Sequence, residues 1–310
     1  MTVHGELAIV PAATKAEAAR ALKDFTLAYN KADKAYDPAL AAGRVTGALG
    51  AINQAGLKAR RAQNPGGNPG HQELALTDAH FLIPQQKGWP RWFVADTDSN
   101  RDTDGGRADT RWLVVFVRGG ADQLWQASHL LTLTPGEVPE FAADGEGFAK
   151  PAPLDGAGLV APPKELGGAY TSYLENKGRS EQQVTFAPGR DTTLWLASRV
   201  RASQRIGRSM QYLDQPLNTG TFAPVGLMTK DGGAFVFFAS RHFEKQTAAR
   251  GVALLDINPD VTALLTGTPK STLTKERVSS QVALVPKKGA AKSAVELESR
   301  VQGLVAATGA

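Results

Sequence analysis

The chain contains no cysteine among its 310 residues. That absence excludes thiol nucleophiles, thiolate metal sites and disulfide staples. Histidine is scarce as well: His4, His71, His80, His129 and His242 are the full set, and no two are close enough to form a zinc pair. There is no G-x-S-x-G elbow, no phosphate-binding P-loop, no H-E-x-x-H and no dinucleotide fingerprint. The commonest hydrolase and nucleotide-dependent classes are therefore not indicated, although a site assembled from distant residues would escape such a search. No apolar run approaches the roughly 20 residues of a membrane-spanning helix.

The first residues, Met1-Thr-Val-His-Gly-Glu-Leu7, have neither the charged start nor the apolar centre of a signal peptide. Taken literally, that reads as cytoplasmic. The missing cysteine favours a different reading, because a chain of this length without one is what remains of a lipoprotein stripped of its signal and its single lipidated Cys. The expected location is extracytoplasmic, with the membrane engaged only through that lipid anchor; cytoplasmic is the alternative.

What is present describes a folded protein. An apolar share of 42% against 21% charged residues is globular composition, and the length suits two domains, placed at 1–150 and 151–310. Thirty-five Lys and Arg against 30 Asp and Glu leave a net charge of +5, too diffuse to imply nucleic acid. The densest basic stretch, Arg190 to Arg208, carries Arg199, Arg201, Arg205 and Arg208 without interleaved stacking aromatics, which reads as a solvated helix face.

Thr14 and Glu17 form a capping box ahead of Ala18, Leu22, Phe25 and Tyr29 at helical spacing. Asp37-Pro38 separates this helix from a second through Val45, Leu49 and Ile52. Strand-like runs follow at Glu73–Ile83, Trp89–Ala95, Thr110–Arg118 and Leu124–Leu133, as in an antiparallel meander. Repeated Pro and Gly between Pro135 and Pro163 mark a linker. The order then restarts with a helix through Leu166, Tyr170 and Tyr173 and another, capped by Asp191, through Leu194, Ala197 and Val200. Strands are expected at Ser209–Leu213, Ala223–Thr229, Ala234–His242, Arg277–Val285 and Ala294–Val305, with a short helix from Asn258-Pro-Asp260 closed by Gly267.

The halves align locally. Trp92–Ala95, a loop ending in Asp104-Gly105-Gly106, and Trp112–Arg118 match Gly226–Thr229, Asp231-Gly232-Gly233 and Phe235–Arg241. Trp125, Ala127, His129 and Leu131 then fall against Val278, Ser280, Val282 and Leu284. This order argues for a duplication.

The first of these loops holds the main chemical candidate. Asp96, Asp98, Asn100, Asp102 and Asp104 alternate as hard-oxygen side chains, which is what a calcium ion would take. Counting from Asn100, the twelfth residue is Arg111 where an EF-hand needs Glu, so the loop is not an EF-hand. Arg91, Arg101, Arg107 and Arg111 compete for the same carboxylates, and the competing reading is a solvated hairpin loop whose Asp, Asn and Gly serve the turn. Trp89, Trp92, Trp112 and Trp125, with Phe93 and Phe116, could line a pocket for an apolar or saccharide ligand or simply pack a core. Strand alternation puts Trp92 and Phe93 on opposite faces, so one pocket cannot use them all. His129 and His242 lie in strand runs as half-buried residues.

Helices followed by a curved antiparallel sheet, twice in tandem, resemble the cystatin-like architecture of the nuclear transport factor 2 and ketosteroid isomerase families. Gly88-Trp-Pro-Arg-Trp-Phe-Val-Ala-Asp-Thr-Asp98 and Asp231-Gly-Gly-Ala-Phe-Val-Phe-Phe238 also resemble a group of actinobacterial lipoproteins. The resemblance implies an α+β fold of two tandem cystatin-like domains with a cone-shaped cavity under the helices, and a place outside the cytoplasmic membrane. It implies no activity, and no position matches the Tyr and Asp arrangement of a ketosteroid-isomerase-type site. The leading expectation is a non-enzymatic cell-envelope binding or interaction module whose partner is a protein or a small molecule. The alternatives are an enzyme using one cone-shaped cavity and an assembly component.

Overall fold

The computed structural model describes residues 8–106, 108–255 and 257–310; His4 and Arg107 lie outside them. The order is β1 (Ile9–Pro11), α1 (Lys15–Ala35), α2 (Gly47–Gln63), β2 (Leu76–Leu82), β3 (Gln85–Lys87), β4 (Arg91–Ser99), β5 (Arg111–Arg118) and β6 (Gln126–Leu133). It continues with α3 (Leu166–Glu175), α4 (Trp195–Ser203), β7 (Arg208–Leu217), β8 (Val225–Met228), β9 (Ala234–Ala248), α5 (Pro259–Leu264), β10 (Leu265–Gly267), β11 (Thr272–Val285) and β12 (Glu296–Gly309). Helices precede a meander twice, so the class is α+β.

The capping box starts α1 as its sequence requires: Thr14 Oγ1 accepts from Glu17 N–H at 3.1 Å while Glu17 Oε2 accepts from Thr14 N–H at 2.8 Å. Ala18, Ala21, Leu22 and Phe25 then face the first sheet. The second helix serves two masters. Leu49 and Leu57 join the core under α1, whereas Ala48, Ala51 and Ile52 pack on Ala239, Val278 and Val305 of the second sheet. The approach is close enough that a Cβ added at Gly303 would sit 2.6 Å from Ile52 Cγ2.

The first sheet is antiparallel in the order β2-β4-β5-β6, and the second runs β10-β12-β11-β9-β7 with one parallel pairing, β10 on β12. Both β7 and β8 pair with β9, β7 along Ala239–Ala248 and β8 along Ala234–Phe237. They are one edge strand interrupted by residues 218–224. The layers are α1, first sheet, second sheet, then α3 with α4. Val94, Leu113, Val115 and Leu131 meet Val225, Leu227, Phe235, Phe237 and Val282 between the sheets.

Several expectations need correction. The hairpins β4–β5 and β8–β9 do occupy equivalent places, each followed by a strand on the far side, but the residue alignment is out by one. Phe93 and Phe116 face the helices of their own half, whereas of their aligned partners Leu227 faces the other sheet and Ala239 packs on α2 of the other half, and a slip of one residue exchanges the faces of a strand. The expected linker is sewn to both sheets: Ala149 N–H donates to Ile83 O at 3.0 Å, Met228 N–H to Lys150 O at 2.8 Å and Ala152 N–H to Gly226 O at 2.8 Å. Asp191 does not cap α4; it is buried inside a π-helical turn, Arg190–Leu194, where Arg300 claims its carboxylate. Gly267 does not close α5, which ends at Leu264 and leads directly into β10.

Candidate functional site

The cone-shaped space under each helical layer is where the resemblance would place a ligand. In the first half it is filled. Phe93 and Phe116 stack at 5.0 Å between ring centres, Trp125 meets Phe93 edge-on at 4.9 Å, and Phe25 and Phe81 close the cluster. In the second half Tyr170, Tyr173, Phe186 and Phe238 fill the corresponding space, with Tyr170 OH donating to Asp191 O at 2.5 Å.

Beyond that aromatic end, the same face of the second sheet turns polar. Along β9 the helix-facing residues change from Ala234, Val236 and Phe238 to Ser240 and His242, and along β11 from Val285 and Ala283 to Gln281 and Ser279. Asp214 on β7 completes a network. Its carboxylate accepts from Arg199 at 2.6 and 2.7 Å and lies 2.6 Å from His242 Nδ1, while His242 Nε2 lies 2.6 Å from Ser279 Oγ. Burial pushes the Asp214 carboxyl up, but the hydrogen bonds from Arg199 and His242 outweigh it and hold it below the usual carboxylate range. Burial lowers His242 more than Asp214 raises it, so the ring is neutral, donating from Nδ1 and accepting from Ser279.

Carboxylate, imidazole and hydroxyl in this order are what a nucleophilic serine needs. Access is what this one lacks. Ser279 lies mid-strand and is 0% exposed, and Ser240 and Gln281 crowd the same hydroxyl, so no substrate carbonyl reaches it. The network instead holds α4 on the sheet. Trp195 lies under two guanidiniums, Arg300 at 3.4 Å and Arg199 at 4.2 Å, and its edge meets His242 at 4.9 Å.

Surface grooves open beside the start of α1, at Phe81 and Ile83 (about 400 Å³), and between α3, α4 and β7 (about 300 Å³), and a further one opens at the seam between the halves. A groove of about 470 Å³ runs between Trp89, Trp92, Val117 and Gln123 of the first half and Thr221 and Val225 of the second. Arg91 and Arg118 stack on Trp89 at 4.5 and 5.2 Å, and Arg118 also covers Trp125 at 4.8 Å. Of the aromatic residues considered from sequence, Trp89 and Trp92 line this groove, Phe93, Phe116 and Trp125 are core, and Trp112 sits at the other end of the hairpin against Thr97.

The acidic loop divides in two. Carboxylate oxygens of Asp98, Asp102 and Asp104 all lie within 4.8 Å of one another. Asp96 is instead paired with Arg111 at 2.7 Å, and Arg111 also reaches Asp78 at 2.8 Å; burial works against the Arg111 charge, yet these carboxylates raise its pKa. Asn100 is spent on the backbone, accepting from Ala75 N–H and donating to Glu73 O, both at 2.9 Å. Within the triplet, Asp102 Oδ2 accepts from Thr110 N–H at 3.0 Å and from its hydroxyl, while Asp102 Oδ1 is enclosed without a partner.

His129 is the other buried histidine. Its Nδ1 lies 3.0 Å from Ser128 Oγ, which donates to Val115 O, so Nδ1 carries the proton and Nε2 is left without a partner. Burial lowers its pKa to about 4. Of the remaining histidines, His71 pairs with Asp33 at 2.8 Å and His80 stands near Asp78 on the exposed edge strand β2. Sequence reading missed the Asp214 network, whose members lie far apart in the chain; its one local signal was polar residues at every second position of otherwise apolar strand runs.

A family model described as a domain of unknown function, DUF8094, matches residues 9–309. An uncharacterized lipoprotein of Streptomyces coelicolor is 51% identical over 309 residues, covering 100% of this chain and 90% of the relative. One from Streptomyces avermitilis is 50% identical with the same coverage, and a second Streptomyces coelicolor lipoprotein is 30% identical over 69% of this chain and 59% of its own length. No solved structure matches significantly. Among the described residues no helix is long and apolar enough to cross a membrane. With a match across nearly its whole length, the chain belongs to the DUF8094 family and is related to lipoproteins of Streptomyces.

Proposed function

We propose that this protein is the folded body of a cell-envelope lipoprotein that binds a ligand or partner without transforming it, using the seam groove at Trp89 and Trp92. One contrast carries the reading: the spaces under both helical layers are occupied by the protein's own side chains, whereas the groove between the halves is open. Indole faces beside amide side chains suit an apolar ring or the flat face of a sugar. The repeated order of helices and meander supports tandem cystatin-like domains, 1–150 and 151–310, and the relatives' lipoprotein names support a lipid-anchored, extracytoplasmic place.

A thermal-shift screen of saccharides and small apolar ligands tests this. Ligands that raise the melting temperature should lose their effect in Trp92→Ala and in Thr221→Trp, which fills the groove. Turnover by the purified protein that disappears in Ser279→Ala would replace this reading with the enzymatic one.

A second reading is a weak calcium site on the hairpin loop, favoured by the three converging carboxylates and the partnerless Asp102 Oδ1. Affinity of the extracellular kind, about 10⁻⁴–10⁻³ M, is expected. Millimolar calcium should then raise the melting temperature of the native chain but not of Asp102→Asn. An unchanged native melting curve removes the site.

A further inference from the structure

Three large apolar side chains that stand open to solvent cluster in one short segment: Leu194 at 63% exposed, Val200 at 51% and Ile206 at 94%. The first two face outward for a physical reason. On its inner side α4 must present Arg199 to Asp214 and Trp195 to Arg300. At about 100° per residue this turns Leu194, Ala197, Val200, Arg201 and Gln204 away from the sheet. Ile206 follows in the turn before β7. Arg190, Arg201 and Arg205 of the same segment are exposed, and the shallow groove lined by Leu196 and Val200 is bordered by one cation and one acid, Lys177 and Glu175. The one acid between Arg190 and Arg208 is Asp191, buried and bound by Arg300 at 2.9 Å. The exposed charge of this segment is thus all positive, with apolar tips among it.

We propose that this face of α4 and its following turn docks on a bilayer containing anionic phospholipid. The apolar tips enter the headgroup boundary and the guanidiniums pair with lipid phosphates, which accept their forked donors. A purely polyanionic partner would reward the arginines and leave Ile206 in water. The inference rests on the lipoprotein reading for its setting: a tethered body meets the surface at high effective concentration, so weak docking suffices to orient it.

Sedimentation of the chain, without any lipid attached, with vesicles of phosphatidylglycerol and phosphatidylcholine or of phosphatidylcholine alone tests the proposal. Binding is expected to the anionic vesicles, weakening as salt rises. The double variant Arg201→Glu/Arg205→Glu should reduce partitioning roughly tenfold or more, and Ile206→Ser about fivefold. The control Arg20→Glu/Lys23→Glu on α1 changes net charge equally and should leave partitioning within about twofold. Circular dichroism confirms that each variant folds. No binding by the native chain, equal loss in the α1 control, or an unchanged Ile206→Ser variant each overturns the proposal. Membrane fractionation of cells tests the lipid anchor separately, so either idea can fail alone.

Discussion

Both halves lay helices over one face of a meander, yet they fill the space between differently. Under α1 the contents are almost wholly apolar, with Phe93, Phe116 and Trp125 at the centre. Under α3 and α4 the aromatic cluster covers one end of the strands, and a buried network of Asp214, Arg199, His242 and Ser279 occupies the other. The difference follows strand length. In the second sheet β9 has 15 residues and β11 has 14, against 8 in β5 and 8 in β6. The longer strands need a second covering helix, and α4 is fastened by ionic hydrogen bonds added to the apolar contacts that Trp195 and Leu196 make with the aromatic cluster.

Breaking that fastening should give the largest effect. Removing the shared acceptor in Asp214→Ala leaves the Arg199 guanidinium and His242 Nδ1 buried without an acceptor and should cost about 3–5 kcal/mol, measured by urea unfolding. The triple variant Arg199→Met/Asp214→Leu/His242→Phe should recover most of this loss, because no buried charge is then left unpaired. A triple variant as unstable as the single one would show that the network gives more than fastening.

The two buried histidines sharpen the comparison, since His242 is satisfied at both nitrogens and His129 at one. His129 is neutral in the fold, with a pKa lowered from 6.5 to about 4. The unfolded chain therefore takes up its proton first, and stability falls as pH drops below 6.5, levelling near 4. The full loss is of the order of 3 kcal/mol. His242, also lowered, acts in the same direction, and the depressed Asp214 extends the loss below the ordinary carboxylate range. His129→Leu should flatten the fall between pH 6.5 and 4 while keeping stability at pH 7; an unaltered pH profile would exclude His129 as its source.

A smaller effect probes contact between the halves. Gly303→Ala drives a methyl into Ile52 Cγ2 and should cost about 1–3 kcal/mol, with Ile52→Ala, which removes that carbon, as a second change that relieves it. Full additivity of the two would mean that α2 and β12 do not press on one another.

Legibility differed between these regions. The capping box of Thr14 and Glu17, the stripe through Phe25 and the hairpin of β4 and β5 were all readable, because each is a local pattern of period 3.6 or 2. The family likeness read from Gly88–Asp98 and Asp231–Phe238 also agrees with the Streptomyces relatives. The orientation of α4 was not readable. Leu194, Ala197 and Val200 looked like its apolar stripe, whereas Arg199 and Trp195 face the sheet, since the partner that selects them, Asp214, lies on another element. The acidic loop was visible as composition, but only the folded hairpin separated Asp96 and Asn100, engaged by Arg111 and the backbone, from Asp98, Asp102 and Asp104.

By itself the sequence determined the α+β class, the repeated order of helices and meander and the cysteine-free chemistry, because these rest on composition and short-range spacing; the lipoprotein kinship came from likeness to relatives. The tertiary structure decided which face of each strand is core, that aromatic side chains fill the cores under the helices while a groove opens at the seam, and that arginine, aspartate, histidine and serine from four separate elements share one buried network. Those outcomes depend on register and on contacts between distant residues. A one-residue shift in either reverses them while leaving every local pattern intact.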